Sequence, residues 1–303
     1  MTGEREALRL RVPVPFELTG SDGGPLRGDL YAPDAALPGR AVLLAHGFRG
    51  YKDWGFLPFL ARRLADAGLP VVTFNTSASG VTDRAGTFGE PERFRRGTYG
   101  GDLEDLRRVA DWTADRIAAP EREAGGAESA GNARSGDSVR LGIAGHSRGG
   151  ALALLHAAED PRVGAVAALA APSGIGVWPD AYFDSWRCGE PVEVYDFRTR
   201  RTLLLGPEIL ADLERERERG RYDTSRAGAR LRAPFLVVHG TRDALVPLEE
   251  ARALAALAPA ATTELRVIEG AGHSFQAGDE LRRTPPPLLE MVESVAAWMR
   301  RWL

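Results

Sequence analysis

The chain has 303 residues, 44% of them hydrophobic and 27% charged, with a net charge of −3 and a sequence pI near 6.0. That length suits one large core or a core carrying an insertion, and the composition excludes wholesale disorder and a basic nucleic-acid-binding surface. The single cysteine, Cys188, excludes an intrachain disulfide framework and a cysteine-based zinc cluster.

The N-terminal MTGEREALRL has no apolar signal core, and no apolar run reaches the ~18 residues that span a bilayer, so a soluble cytoplasmic protein without membrane contact is expected. Lys52 is the only lysine among 39 basic residues. The arginine excess therefore reads as compositional bias, and no phosphate-binding role is drawn from it.

In chain order, residues 7–18 and 24–32 flank a glycine-rich turn and predict an antiparallel strand pair. Ala41 to Ala45 is a continuous apolar run, the pattern of a strand buried on both faces. Residues 56–66 carry helical spacing through Phe56, Phe59, Leu60 and Leu64, stopped by Gly68-Leu69-Pro70. Val71 to Phe74 predicts a strand, Asn75 to about Gly100 a long polar loop, and Asp102 to Ile117 a helix.

Further on, strands are expected at Val139–Ala144, Val163–Ala171, Pro234–Val238 and Leu265–Ile268, with helices at Gly149–Ala158, Leu248–Ala258 and Leu288–Leu303. Strands alternating with helices at this spacing imply an α/β fold with a mostly parallel sheet covered on both faces. Residues 119–138 have no periodicity and read as a surface loop. Residues 172–231 break the alternation with a hairpin (Val192–Asp196 and Thr202–Leu205) and a helix from Pro207 to Arg219, the signature of an inserted lid with its own apolar cluster. The expected organisation is core over 1–171, lid over 172–231, and core again over 232–303.

The chemistry concentrates in four short segments. Gly145-His146-Ser147-Arg148-Gly149 matches G-x-S-x-G between a strand and a helix, where a nucleophile sits on a tight turn and the helix amides face the reacting oxygen. A serine needs a base oriented by an acid. Asp243 follows a buried strand within HGTRD, and His273 lies in the glycine-rich loop GAGH after the last strand. His46-Gly47-Phe48 follows the strand at 41–45, so the amides of Phe48 and Arg148 are the expected oxyanion-binding pair.

The quartet HGF, GHSRG, HGTRD and GAGH, in the order Ser, Asp, His, resembles the serine α/β-hydrolases over essentially the whole chain. HGFRGYKDWGF, GHSRGG, LLLGPEILADL and the hairpin-bearing insertion are similar to bacterial carboxylesterases grouped with dienelactone-hydrolase-like proteins and to cinnamoyl (feruloyl) esterases. Serine at position 147 departs from the cysteine of dienelactone hydrolases proper. The resemblance implies the α/β-hydrolase fold, a Ser147–Asp243–His273 triad cleaving small acyl or aryl esters through an acyl-enzyme, no cofactor or metal, and a monomer or homodimer. An aminopeptidase-type peptidase using Asp180, Asp184 or Glu190, a thioesterase, and a non-catalytic ligand-binding protein on the same scaffold are the alternatives.

Other residues carry competing readings. His146 packs beside the nucleophile or lines the pocket. His46 shapes the oxyanion loop, while His156 and His239 are structural. Trp178, Tyr182, Phe183 and Trp186 form either the lid's own core or an apolar substrate pocket. Lys52, Asp53 and Trp54 read as a surface turn, with a place at the site's rim as the alternative, and Cys188 as a small hydrophobe.

Overall fold

The computed structural model describes residues 12–33, 35–83, 86–117, 139–278 and 284–303. The surface loop expected over 119–138 and the first residues of the strand expected from residue 7 lie outside the described residues.

An eight-stranded sheet forms the centre, in the order β1-β2-β4-β3-β5-β6-β9-β10. The strands are β1 (Val14–Thr19), β2 (Pro25–Tyr31), β3 (Arg40–Ala45), β4 (Val71–Phe74), β5 (Arg140–His146), β6 (Val163–Leu169), β9 (Phe235–Gly240) and β10 (Thr263–Ile268). β2 runs antiparallel to both β1 and β4, and every other pairing is parallel. The apolar runs of β4, β6 and β9 are buried at every residue, because helices cover both faces.

Alternation along the strands divides the interior into two cores. Ala41, Leu43 and Ala45 face one, shared with Leu106 and Val109 of α3 (Tyr99–Ile117), Leu152 and Leu155 of α4 (Arg148–Ala157), and Leu254 of α8 (Leu248–Ala256). Val42 and Leu44 face the other, filled by Leu57, Leu60 and Leu64 of α1 (Leu57–Asp66) and by Met291, Val292 and Val295 of α9 (Pro286–Trp302). The 3–4 spacing of these residues makes each helix present one apolar stripe to the sheet. Among the described residues, no helix is long and apolar enough to cross a membrane.

The stretch expected as a long polar loop is partly ordered. It holds a 3-10 turn at Ser77–Ser79 and a short helix α2 (Pro91–Arg95), and α3 begins at Tyr99, three residues before the acidic start that the pattern suggested.

Between β6 and β9 the chain leaves the sheet. It forms α5 (Asp180–Arg187), the antiparallel hairpin β7 (Val192–Asp196) and β8 (Arg201–Leu205), then α6 (Glu208–Arg217) and α7 (Thr224–Arg230). Asp196 ties the hairpin turn, accepting from Thr199 N at 2.9 Å and Thr199 Oγ1 at 2.6 Å. The insertion does not keep a separate core: Trp186, Val192, Leu203, Leu205 and Ile209 belong to the same buried cluster as the sheet face beneath them. Cys188 is exposed rather than packed.

Candidate functional site

Ser147 occupies the turn between β5 and α4 with φ 54° and ψ −126°. This is a left-handed φ that a serine adopts at a cost of about 1–3 kcal/mol. The surrounding backbone holds it there. Ser147 N donates to Leu169 O at 2.8 Å, extending the β5–β6 ladder, and Gly150 N donates to Ser147 O at 2.9 Å. The flanking glycines are sterically required: a Cβ on Gly145 would lie 2.1 Å from Gly149 O, and one on Gly149 would lie 2.5 Å from His46 O.

His273 Nδ1 and Asp243 Oδ2 are 2.8 Å apart. Asp243 Oδ1 accepts from the amides of Leu245 and Val246, both at 2.9 Å. Burial pushes this carboxyl up, but the His273 bond and the two amides outweigh it and hold the pKa below its ordinary value. The carboxylate is thus ionised and accepts from Nδ1–H of His273, an arrangement that in a neutral imidazole puts the lone pair on Nε2. Asp243 caps no helix: the N-cap of α8 is Pro247. His239 Nε2 lies 2.8 Å from Val246 O and 3.4 Å from Asp243 Oδ2, so this buried histidine braces the acid's turn.

His146 is buried and donates Nε2–H to His273 O at 2.9 Å. Burial, reinforced by His273 alongside, pushes its pKa down to about 3, so it stays neutral. Its ring stacks on Trp54 at 5.2 Å and meets Phe56 edge-on. Phe56 in turn packs on the fully buried Phe275, which anchors the His273 loop from behind.

His46 is also buried, and burial lowers its pKa. It accepts Thr76 N at Nε2 (3.1 Å), so Nδ1 carries the proton and donates to Gly47 O (2.9 Å). The loop that follows is anchored by Lys52, whose ammonium sits 2.5 Å from Asp29 Oδ2 and 2.6 Å from Asp53 Oδ2. Lys52 is 8% exposed, so the expectation of a surface turn here gives way to a buried ion cluster. No local pattern announces it, because Asp29 arrives from β2. His156 bonds Asp160 at 3.2 Å, as a structural histidine does.

Two cavities of about 430 and 460 Å³ share Phe48, Ser147, Val177, Leu245 and Val246 as walls. They read as two lobes of one cleft meeting at the serine. The first adds Tyr99, Arg148, Ile175, Trp178 and Glu250. The second adds Arg49, Trp54, His146, Arg198 and His273. Ser147 and His273 therefore open onto the same lobe. The backbone N–H groups of Phe48 and Arg148 have no partner among the described residues.

The four aromatic residues at the start of the insertion pack on one another, Trp178 stacking on Tyr182 at 6.1 Å and meeting Trp186 edge-on at 5.7 Å, but only Trp178 of the four reaches the cleft. Trp178 lines the first lobe and packs edge-on against Phe48 at 5.3 Å. Tyr182, Phe183 and Trp186 lie behind it and line neither lobe; Trp186 is buried with Nε1 on Leu205 O, and Tyr182 OH donates to Glu193 O. Sequence reading missed Tyr99 and the loop 172–177 as lobe walls; helix-start tyrosines and Pro/Gly loops carry no signal of that kind. Among the described residues, no group of three or more His, Cys, Asp or Glu side chains is placed to hold a metal ion.

Residues 42–283 match the sequence model of the alpha/beta hydrolase family. No curated protein sequence is a match. Among solved structures, the chain is similar in fold to the esterase domain of a Rhodothermus marinus protein (TM-score 0.61, 21% identity, covering 96% of this chain and 99% of that one). It is also similar to Est1E from Butyrivibrio proteoclasticus with ferulic acid bound (TM-score 0.65, 18% identity, 95% and 98%). A third is dienelactone hydrolase from Anabaena variabilis ATCC 29413 (TM-score 0.59, 20% identity, 96% and 99%).

Proposed function

Because this chain belongs to the alpha/beta hydrolase family, we propose that it is a serine hydrolase of carboxylic esters, acting on small acyl or aryl substrates through an acyl-enzyme. The observation that carries the reading is the His273–Asp243 bond of 2.8 Å in a cleft that His273 shares with the strained Ser147.

In this mechanism Ser147 Oγ attacks the ester carbonyl while its proton passes to His273 Nε2. Asp243 holds the imidazole in the Nδ1–H tautomer and stabilises the imidazolium that forms. The carbonyl oxygen becomes an oxyanion and takes hydrogen bonds from the amides of Phe48 and Arg148; each such donor contributes roughly 3–4 kcal/mol in the transition state. Collapse of the tetrahedral intermediate breaks the C–O bond, and the imidazolium returns its proton to the departing alcohol. Water then repeats the sequence on the acyl-enzyme, releasing the acid and restoring Ser147.

The two lobes suit a substrate with one group on each side of the scissile bond. The peptidase alternative is weakened by its own requirement: Asp180, Asp184 and Glu190 are exposed and line neither lobe. A thioester would pass through the same steps.

The test is a panel of p-nitrophenyl esters from acetate to laurate, methyl hydroxycinnamates, an acyl thioester and aminoacyl p-nitroanilides, run on wild type and on Ser147→Ala. Ester turnover that drops by about 10⁴-fold or more in the variant is the expected result. Anilide turnover exceeding ester turnover would transfer the protein to the peptidases, and thioester turnover exceeding both would make it a thioesterase.

A further inference from the structure

Arg148 contributes more than its amide. Its side chain, 15% exposed, runs from the first residue of α4 to α3, where Nη2 lies 3.1 Å from Asp102 Oδ2. Asp102 is 2% exposed, and its other oxygen, Oδ1, is buried with no hydrogen-bond partner among the described residues. On the way the guanidinium passes between two rings, 4.8 Å from the centroid of Phe48 and 5.4 Å from that of Tyr99. Phe48 and Arg148 are the residues whose amides serve as the oxyanion pair in the proposed function.

Fold stability alone gives little reason for this arrangement. A buried ion pair with one point of contact and a leftover unpaired oxygen is a poor stabiliser, and apolar side chains of similar volume commonly do as well. What the pair supplies is position. A flat cation held by a carboxylate fixes the ring beside it in both distance and orientation, which an aliphatic contact does not. The loop carrying Phe48 needs such a constraint. Gly47 packs so closely on Ser147 that a Cβ there would lie 2.9 Å from Ser147 Cβ, and Arg49 is held at φ 60°. The loop is thus fixed against the nucleophile on its backbone side, and the Phe48 ring is its handle on the other.

We propose that Arg148 is a positioning residue: its guanidinium, held by Asp102, clamps the Phe48 ring and thereby sets the Phe48 amide at the distance from the Arg148 amide that a developing oxyanion requires. This rests on the serine-hydrolase reading.

Three variants test it on p-nitrophenyl acetate: Arg148→Met, Arg148→Lys, and the double variant Asp102→Asn/Arg148→Met. The double variant leaves no lone buried charge, so it carries the test even where Arg148→Met folds poorly. In the double variant, kcat falls about 10–100-fold with KM within about threefold, the pattern of an amide misplaced only for the transition state. Affinity for phenylboronic acid, whose tetrahedral adduct presents an oxyanion, falls in parallel with kcat. The melting temperature of the double variant, measured alongside, is the folding control. Arg148→Lys keeps the charge but not the plane, and recovers only part of kcat.

Wild-type kcat in the double variant would overturn the proposal, as would a rise in KM at unchanged kcat, which would make Arg148 a substrate contact. A wild type that neither hydrolyses esters nor labels with a fluorophosphonate would instead overturn the reading on which the proposal rests.

Discussion

Asp243 uses its two oxygens differently. Oδ1 is engaged by the amides of Leu245 and Val246, and Oδ2 faces His273 Nδ1. An asparagine here would keep its carbonyl on the two amides, because an NH₂ group cannot accept from them. Its NH₂ would then point at His273 Nδ1 and force the proton onto Nε2, the nitrogen that acts as base in the proposed mechanism. Asp243→Asn is therefore expected to fold normally yet lose about 10⁴-fold in kcat for ester hydrolysis, measured at fixed pH with melting temperature as the folding control. A variant within tenfold of wild type would remove Asp243 from the mechanism. The same reasoning separates the histidines by role: His46, His146 and His239 each have a nitrogen committed to backbone, and all three are buried.

The turn from β5 into α4 is where local sequence and tertiary packing agree most closely. Small residues are needed because the end of β3, the loop that follows it and the start of α4 converge there. Gly145→Ala places its methyl 2.1 Å from Gly149 O, against backbone that cannot move aside. The expected loss is about 3 kcal/mol or more, read as a fall in melting temperature or in soluble yield. Gly174→Ala, with nothing within 4 Å of its added Cβ, is the neutral control; an equally stable Gly145→Ala would contradict this account of the turn. Elements of this kind were legible from sequence. The parallel strands β3, β4, β6 and β9 are near-continuous apolar runs, and Ser147, Asp243 and His273 each follow a parallel strand. The helices α5 and α7 were not legible, since α5 has one buried residue, Trp186, and α7 is seven residues long. Neither periodicity nor composition distinguishes such segments, whose order comes from contacts distant in sequence. The burial of Lys52 and the placing of Trp178, but not of Trp186 packed against it, on the cleft wall were hidden for the same reason.

Folding as a whole carries a pH signature. Burial, with His273 beside it, lowers the His146 pKa from 6.5 to about 3. The unfolded chain therefore binds this proton and the folded protein does not, between about pH 6.5 and 3, so stability falls with falling pH across that window by at most ~1.4 kcal/mol per unit. His46, lowered by burial, acts in the same direction. Asp105 acts oppositely: burial raises it from 3.8 to about 6, so it favours the folded state below 3.8 and loses that contribution as pH rises through 6. Because the terms overlap, the difference between two proteins isolates one of them. His146→Gln, which can still donate to His273 O, is expected to flatten the plot of melting temperature against pH between 6.5 and 3 relative to wild type. Parallel curves would contradict a buried neutral His146.

Every step proposed for this site depends on Ser147 as the nucleophile. The most direct measurement is reaction with a fluorophosphonate, followed by intact mass and peptide mapping, alongside ester turnover in wild type and Ser147→Ala. A single adduct on the peptide containing Ser147 is expected, with loss of turnover in step with labelling and neither adduct nor appreciable turnover in the variant. An adduct on another residue, or turnover undiminished in Ser147→Ala, would contradict this role of Ser147.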